Sequence, residues 1–131
     1  MSLKDLPAEM RPREKLLARG GVYEKLASRS AQMAEGLCER ADAAGVPFTA
    51  SSLGGLFGFF FHPGPVENFA DASRADGESF KLFFAQMLAR GCYLAPSPYE
   101  CGFVSLAHRK RDIEASLTAA ERAFAQLARA R

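Results

Sequence analysis

The segment "YLAPSPYECGF", residues 93–103, places a single carboxylate, Glu100, among prolines, tyrosines and a glycine. Pro96 and Pro98 restrict the backbone around it, so the carboxylate is expected on a stiff loop. A carboxylate held at a fixed position can orient the ammonium group of a ligand or shape the electric field of a pocket. It can also accept backbone hydrogen bonds or pair with an arginine, and composition alone favours this structural role.

The other groups that could do chemistry are two histidines and three cysteines. His62 and His108 stand at no metal-ligand spacing with an acid or a cysteine, so a structural role is expected for both. A nucleophilic pair of Cys101 and His108 is conceivable, but strand alternation would place an odd and an even residue on opposite faces. Cys38, Cys92 and Cys101 form no C-x-x-C pair. They predict neither a disulfide framework nor a zinc site, and we interpret them as small buried apolar residues.

The sequence matches no motif for phosphate or nucleic-acid binding. The glycines of "GGLFG", residues 54–58, lie within predicted strands and do not open a helix, as a phosphate-cradling loop would require. The phenylalanine-rich runs at 57–61 and 80–84 are interpreted as core and not as a stacking platform for bases. The 17 basic and 15 acidic residues leave a net charge of +2, and basic residues cluster only at 108–112. No nucleic-acid partner is therefore expected.

Nothing in the sequence predicts insertion into a membrane. The most apolar run, residues 53–61, is much shorter than the roughly 20 residues that a helix needs to cross a bilayer. Residues 1–15 carry charges where a signal peptide would have its apolar centre. We therefore expect a soluble, cytoplasmic protein without a membrane partner.

The elements that would carry the Glu100 loop follow from hydrophobic periodicity. With 131 residues, 48% of them hydrophobic, the chain is expected to form one compact domain. Apolar residues at helical spacing predict a long helix that begins at Val22 and is stopped by Gly45 and Pro47. Residues 48–62, "FTASSLGG" followed by "LFGFFFH", predict an antiparallel hairpin. Its second strand is apolar on both faces, so we expect both faces to be covered at least in part, with close packing against Gly58.

The second half of the chain predicts two helices and two more strands. Asp76 is placed to cap a helix with large apolar residues at spacings of three and four. These residues are Phe80, Phe83, Phe84, Met87 and Leu88. "CYLAP", residues 92–96, and "GFVSLA", residues 102–107, predict short strands on either side of the loop, and a last helix is expected from Arg109 onward. Helices packed on a small antiparallel sheet define a two-layer α+β fold.

Four segments of the sequence together resemble one family. They are "GVYEKL" (21–26), "SLGGLFGFFF" (52–61), "GPVENFADASRAD" (64–76) and "FKLFFAQMLARGCYLAPSPYECGFVSLAH" (80–108). In this order they are similar to the C-terminal small domain of the glutamate-1-semialdehyde 2,1-aminomutases, a family of class III aminotransferases. The similarity covers roughly residues 21–128 and is most specific in the stretch from Tyr93 through His108.

The resemblance implies a fold and an activity. The fold would be that of the C-terminal domain of fold-type I enzymes that use pyridoxal 5′-phosphate (PLP). The parent enzyme would be a cytoplasmic homodimer, an isomerase that converts glutamate-1-semialdehyde to 5-aminolevulinate, the precursor of haem and other tetrapyrroles (porphyrin biosynthesis). PLP would supply the chemistry as an electron sink and amine carrier.

The resemblance also implies that this chain is only part of such an enzyme. In the family, the cofactor lysine and the residues that hold the cofactor belong to a large domain, which these 131 residues lack. Residues 21–131 would be the small domain, and residues 1–20 a helix or tail of uncertain origin. The isolated chain is then expected to contain no catalytic, cofactor-binding or metal-binding residue and to bind no PLP. Its partners would be the absent large domain and a small-molecule substrate.

By the same resemblance, Glu100, Ser97 and Tyr99 would line the substrate cleft between the two domains, with Glu100 directed toward the substrate. This chain departs from the family at several nearby positions. Tyr99 stands where Phe is more common, Cys101 where Ala is common, and Phe69 where Tyr is frequent. Arg109 stands where Thr often follows the histidine. These departures leave the placement of the loop intact and change its fine contacts.

Two other classes of function compete with this one. The small domain of another class III aminotransferase would share the fold, but an arginine that clamps a substrate carboxylate is then expected. None lies between Arg40 and Arg74 or within residues 93–108, which makes this class weaker. A freestanding interaction module with an exposed apolar face is the second alternative, and the unmatched residues 1–20 argue against it.

Overall fold

The computed structural model describes residues 7, 8 and 20–131. The helix or tail expected over residues 1–20 lies, apart from positions 7, 8 and 20, outside the described residues. In chain order the elements are α1 (Val22–Ala44), β1 (Thr49–Leu53), β2 (Leu56–Phe60), α2 (Phe69–Ser73), α3 (Gly77–Ala89), β3 (Gly102–Phe103) and α4 (Lys110–Ala130). The predicted two-layer α+β class is confirmed: the helices pack on a three-stranded antiparallel sheet of order β1-β2-β3.

Helix α1 begins and ends where the sequence predicted. At its C-terminus Gly45 adopts a left-handed φ of 72°, which a residue with a Cβ rarely takes. The Gly45 N–H donates to the Asp42 carbonyl, and the Val46 N–H donates to the Ala41 carbonyl at 2.9 Å. These bonds satisfy carbonyls that the helix itself leaves open. The chain then turns directly into β1.

The predicted hairpin is confirmed, with Leu53 paired to Leu56 around the two-residue turn Gly54–Gly55. Strand β3 pairs only with Leu56 and Phe57 of β2. The remaining residues of β2 therefore have no strand beside them on that edge among the described residues. This short pairing places the Glu100 loop at the open edge of the sheet.

The strand predicted over residues 92–96 is wrong. Gly91 adopts a left-handed φ of 84° after α3, and the Cys92 N–H donates back to the Met87 carbonyl at 2.9 Å. Gly91 and Cys92 therefore form the C-terminal cap of α3 and do not begin a strand. Pro96 has no N–H to give to a ladder. Of the strand predicted over 102–107, only β3 forms. The sheet has three described strands where the hairpin and the two later segments predicted four.

The core lies between the helices and one face of the sheet, and aromatic rings dominate it. Phe83 of α3 and Phe124 of α4 are fully buried and stack with ring centroids 4.8 Å apart. Phe48 meets Phe124 edge-to-face at 5.1 Å. The core interpretation of the two phenylalanine-rich runs is thus confirmed for their buried members, which are Phe57, Phe61, Phe80 and Phe83.

The opposite face of the sheet is only partly covered, as the sequence predicted: Leu56, Gly58 and Phe60 of β2 are half-buried. The β1–β2–β3 register places Leu53, Leu56, Gly58 and Phe103 on this outer face. Leu53 is 80% exposed and Phe103 74% exposed. A Cβ built on Gly58 would meet nothing within 4 Å, so the close packing expected there is wrong. The core residues of α1, α3 and α4 pack against the other face of the sheet. Among the described residues, no helix has the length and apolarity needed to cross a bilayer.

Asp76 caps α3 as predicted, and this cap has a testable pH dependence. Its carboxylate accepts hydrogen bonds from the Ser79 hydroxyl at 2.6 Å and from the Glu78 and Ser79 N–H groups. These bonds, led by that of the Ser79 hydroxyl, lower the pKa of Asp76 below its ordinary value. A lowered pKa means stabilisation that is present above the unfolded-state value and lost as pH falls through the folded-state value.

We therefore expect Asp76→Ala to reduce the free energy of unfolding by about 0.5–2 kcal/mol near neutral pH. The difference from wild type should shrink well below pH of about 4. Urea unfolding at several pH values measures both quantities. Asp42→Ala, an exposed carboxylate on α1, is the matched control and should change stability by less than about 0.5 kcal/mol. A deficit in Asp76→Ala that stays constant down to strongly acidic pH would contradict the prediction.

Candidate functional site

The Glu100 carboxylate is carried by a tight turn that the local sequence specifies. The Glu100 N–H donates to the Ser97 carbonyl at 3.2 Å, which closes a four-residue turn with Pro98 at its second position. Proline sets the backbone φ that this position needs. The Ser97 hydroxyl accepts a hydrogen bond from the Tyr99 N–H at 3.2 Å, so a second backbone N–H of the turn is satisfied. The side chains of Tyr99 and Glu100 are consequently exposed.

A cavity of about 620 Å³ lies beside this turn at the open edge of the sheet. Five of its twelve lining residues are aromatic: Phe57, Phe59, Phe80, Tyr93 and Phe103. The polar side chains in the wall are those of Ser97, Glu100 and Cys101, and Glu100 is the only charged residue among the lining residues. An apolar pocket with a few convergent polar groups is the usual form of a small-molecule site. We call it the Glu100 cavity.

Glu100 itself is exposed, and its carboxylate makes no hydrogen bond or ion pair with another described residue. The structural roles that the sequence left open, an arginine partner or backbone donors, are therefore not seen in this part of the chain. Glu100 therefore lines an open cavity and does not lie in the interior of the domain.

The structure brings two of the three expected site residues together. Ser97 and Glu100 both line the cavity, whereas Tyr99 does not. Tyr99 instead stacks on Phe69 of α2, with ring centroids 5.8 Å apart and an interplanar angle of 29°. Both rings remain largely exposed, at 57% for Tyr99 and 75% for Phe69. This contact joins the turn to α2 on the outside of the site.

No hydrogen bond joins a cysteine to a histidine among the described residues. Cys101 is exposed, so its interpretation as a buried residue is wrong, because it lies in the loop ahead of β3. Cys38 and Cys92 are partly buried against the core, and burial raises the pKa of the Cys38 thiol. The expected structural role of His108 is confirmed: its Nδ1 accepts a hydrogen bond from the Ser105 N–H at 3.0 Å. The described residues contain no metal-ligand cluster of His, Cys, Asp and Glu.

The Glu100 cavity does not fit PLP on its own. A bound PLP needs an amine for its aldehyde and donors or cations for its phosphate. Neither a lysine nor an arginine lines this cavity, and its one charged residue is an acid that would repel a phosphate. The expectation that this chain holds no PLP stays a prediction.

Sequence reasoning missed two residues that shape the site. Gly102 lies directly against the ring of Phe57, and an added Cβ would fall well inside van der Waals contact with that ring. Arg29 of α1 donates from Nη1 to the Leu106 carbonyl at 3.1 Å. Gly102 looked like an ordinary loop glycine, and Arg29 like one of the solvated charges of an amphipathic helix. No signal in the sequence identifies either contact, because each joins segments far apart in the chain.

Similar folds occur in solved enzymes named for moving amino groups. An ω-transaminase from Sphaerobacter thermophilus matches 93% of this chain with a TM-score of 0.70 and 23% identity. A glutamate-1-semialdehyde-aminomutase from Pseudomonas aeruginosa PAO1 matches 90% of it with a TM-score of 0.76 and 18% identity. A variant of that aminomutase in complex with PMP matches 89% with a TM-score of 0.75 and 17% identity.

These likenesses establish the fold that the chain shares with part of each enzyme. No protein-family model matches the chain. The chain spans only about a quarter of the length of the solved structures, 27% of the transaminase and 26% of the aminomutase. The likeness therefore concerns one portion of those enzymes.

Proposed function

We propose that this chain is the small domain, residues 21–131, of a PLP-dependent enzyme that moves amino groups. The observation that carries the proposal is the Glu100 carboxylate, free of described partners, at the wall of an aromatic cavity in a fold shared with a transaminase and an aminomutase. We propose further that the whole enzyme is a glutamate-1-semialdehyde 2,1-aminomutase. The motif order of the sequence supports this finer assignment, as does the aminomutase likeness.

Within this proposal, the chain supplies a wall of the substrate cleft and the absent large domain supplies the cofactor site. The lining of the Glu100 cavity supports that division, because it offers no lysine or arginine for PLP. The length of the match supports it as well, because this chain corresponds to only about a quarter of each solved enzyme and the rest of those enzymes has no counterpart in it. The whole enzyme would be a cytoplasmic homodimer acting on a small-molecule substrate.

Glu100 would act on the substrate by electrostatics. A carboxylate on a rigid turn attracts an ammonium group and holds it in one orientation, without the cost of reorganising water. The turn provides the rigidity through Pro98 and the Ser97–Glu100 hydrogen bond. Ser97 would contribute its hydroxyl to the same wall. Tyr99 would contribute indirectly, by fixing the turn against Phe69.

A different aminotransferase, one whose amine substrate has no carboxylate for an arginine to clamp, is the second candidate, and the character of the cavity wall favours it. Five aromatic rings and no lining cation suit an amine with an apolar body better than a substrate that carries a carboxylate. An ω-transaminase is among the solved structures with this fold. The two candidates differ in a chemical requirement: an isomerase rearranges one substrate, whereas a transaminase needs a separate amino acceptor.

The first experiment tests whether the cofactor lysine lies outside this chain. The purified chain is mixed with PLP, dialysed, and examined by absorption spectroscopy. We expect no Schiff-base band to survive dialysis, because no lysine lines the Glu100 cavity. A band that persists, and that is lost when one particular lysine is replaced by methionine, would contradict the division of labour between the two domains.

The second experiment tests the reaction itself in the protein encoded by the complete reading frame. Under the proposal it forms 5-aminolevulinate from glutamate-1-semialdehyde with no amino acceptor added. Glu100→Gln should lower kcat/KM, because the neutral amide no longer attracts an ammonium group. Activity that appears only with an added keto acid and an apolar amine would replace the first candidate by the second. No activity in either assay would refute both.

A further inference from the structure

The Glu100 loop returns to the fold through a strand of only two residues, Gly102–Phe103. The ten residues before it, 92–101, contain neither helix nor strand. Ordering such a segment costs conformational entropy at every residue. Two residues of β-pairing offer few ladder hydrogen bonds to offset that cost. The returning end of the loop therefore needs a tie beyond the sheet.

Arg29 provides a tie from the opposite layer of the domain. Its Nη1 donates to the Leu106 carbonyl at 3.1 Å and, at the limit of hydrogen bonding, to the Ser105 carbonyl at 3.5 Å. Arg29 stands on α1, 77 residues before Leu106, and is half-buried. The Val104 N–H, one residue before this clamp, donates to the Gly55 carbonyl of the hairpin turn at 3.0 Å.

His108 holds the same segment from its C-terminal side. The Ser105 N–H donates to His108 Nδ1 at 3.0 Å, and the His108 N–H donates to the Ser105 carbonyl at 3.1 Å. Ser105 and its neighbours are therefore fixed in a turn that presents two carbonyls to one guanidinium. Arg29 is the only member of this hydrogen-bonded set that lies on α1, so it adds a polar link to the helical layer beside the packing of Val104 against the core.

We infer that Arg29 is a positioning residue for Glu100. By holding the carbonyls of residues 105 and 106, Arg29 fixes the position of Val104 and of β3 before it. Because Glu100 lies only two residues before Gly102, the first residue of β3, the position of Glu100 is restricted as well. Hydrogen bonds from a charged donor commonly shift a local opening equilibrium by about tenfold or more. Loss of Arg29 should therefore loosen the wall of the Glu100 cavity while the helices stay intact. The inference rests on the proposed function for the role of Glu100, but the clamp is a property of this chain alone.

The test uses nuclear magnetic resonance on this chain, with two local signals. The first is hydrogen exchange of the Val104 amide, which should become about tenfold faster or more in Arg29→Met. The second is the chemical shift of the Gly102 α-protons, which the Phe57 ring current should displace because Gly102 lies against that ring. In Arg29→Met this displacement should shrink, because Gly102 drifts from the ring.

Three comparisons make the result specific. Arg29→Lys keeps a cationic donor and should fall between wild type and Arg29→Met. Arg122→Met removes an exposed arginine of α4 and should change neither signal. The Val46 amide, at the far end of α1, should exchange at the wild-type rate in every variant. If Arg29→Met does not fold, Arg29→Gln, which retains a neutral donor, takes its place.

Wild-type values of both signals in Arg29→Met would overturn the inference. So would an equal acceleration of Val104 and Val46, since that pattern describes global destabilisation and not a local clamp. No cofactor or substrate is present in these measurements. A failure here therefore leaves the proposed function standing, and a failed activity assay leaves the Arg29 clamp standing.

Discussion

Replacing Phe83 by alanine should lower the free energy of unfolding by about 3–5 kcal/mol, the usual cost of deleting a buried aromatic ring. Phe83 is fully buried, and its ring stacks on Phe124 at 4.8 Å and meets Phe61 at 5.4 Å. It belongs to α3, whereas Phe124 comes from α4 and Phe61 directly follows β2. The truncation would therefore leave a cavity at the point where both layers of the domain meet.

Urea unfolding of the isolated chain measures this loss. A domain of ordinary stability has only about 5–15 kcal/mol in total, so Phe83→Ala should be near the limit of folding. Leu82→Ala is the matched control, since Leu82 is the adjacent residue of the same helix and is 48% exposed. It should cost much less, because its side chain is already half in water. Similar losses for the two variants would mean that the aromatic cluster does not hold the layers together.

Replacing Gly102 by valine should destabilise the protein and disturb the Glu100 cavity, which Gly102 lines. An added Cβ at Gly102 would collide with the ring of Phe57. Phe57 is buried, with only 6% of its surface exposed. The ring has little room to move, so the overpacking should cost about 1–3 kcal/mol. Valine is otherwise favourable in a strand, so a loss of stability in Gly102→Val would be due to the steric clash with the Phe57 ring.

Gly58→Ala is the matched control, because a Cβ at Gly58 meets nothing within 4 Å. Alanine in place of a strand glycine should be neutral or stabilising by up to about 1 kcal/mol. Urea unfolding measures both variants, and the chemical shifts of Glu100 and Cys101 report the displacement of the loop. Gly102→Val with wild-type stability and unshifted loop signals would show that the Phe57 ring can move aside freely.

The hydrophobic periodicity was sufficient to predict the long helices and the hairpin. Helix α1 ends at Ala44 as Gly45 and Pro47 indicated, and Asp76 caps α3. Each of these features depends on residues close in sequence, so it can be predicted without knowing the tertiary structure. The strand predicted at 92–96 failed for the opposite reason. A strand exists only with a partner, and whether one is available is not a local property.

The candidate site, too, was predictable where it depends on local sequence and unpredictable where it depends on tertiary packing. The prolines of the loop predicted that Glu100 would stand on a rigid turn, and the structure shows that turn. The aromatic wall of its cavity could not be predicted, because its residues come from β2, α3, β3 and the loop itself. Cys101 was misinterpreted as buried for a related reason: composition favours burial of cysteine, and only the path of the loop left it exposed.

The sequence by itself determined the class of fold, the ends of the main helices and the stiffness of the Glu100 turn, because spacing, caps and prolines act over a few residues. The tertiary structure alone decided which face of the sheet is only partly covered, that Tyr99 turns away to stack on Phe69, and that Arg29 clamps the returning end of the loop. Such contacts join segments as much as 77 residues apart. Their geometry is settled only when the whole core packs.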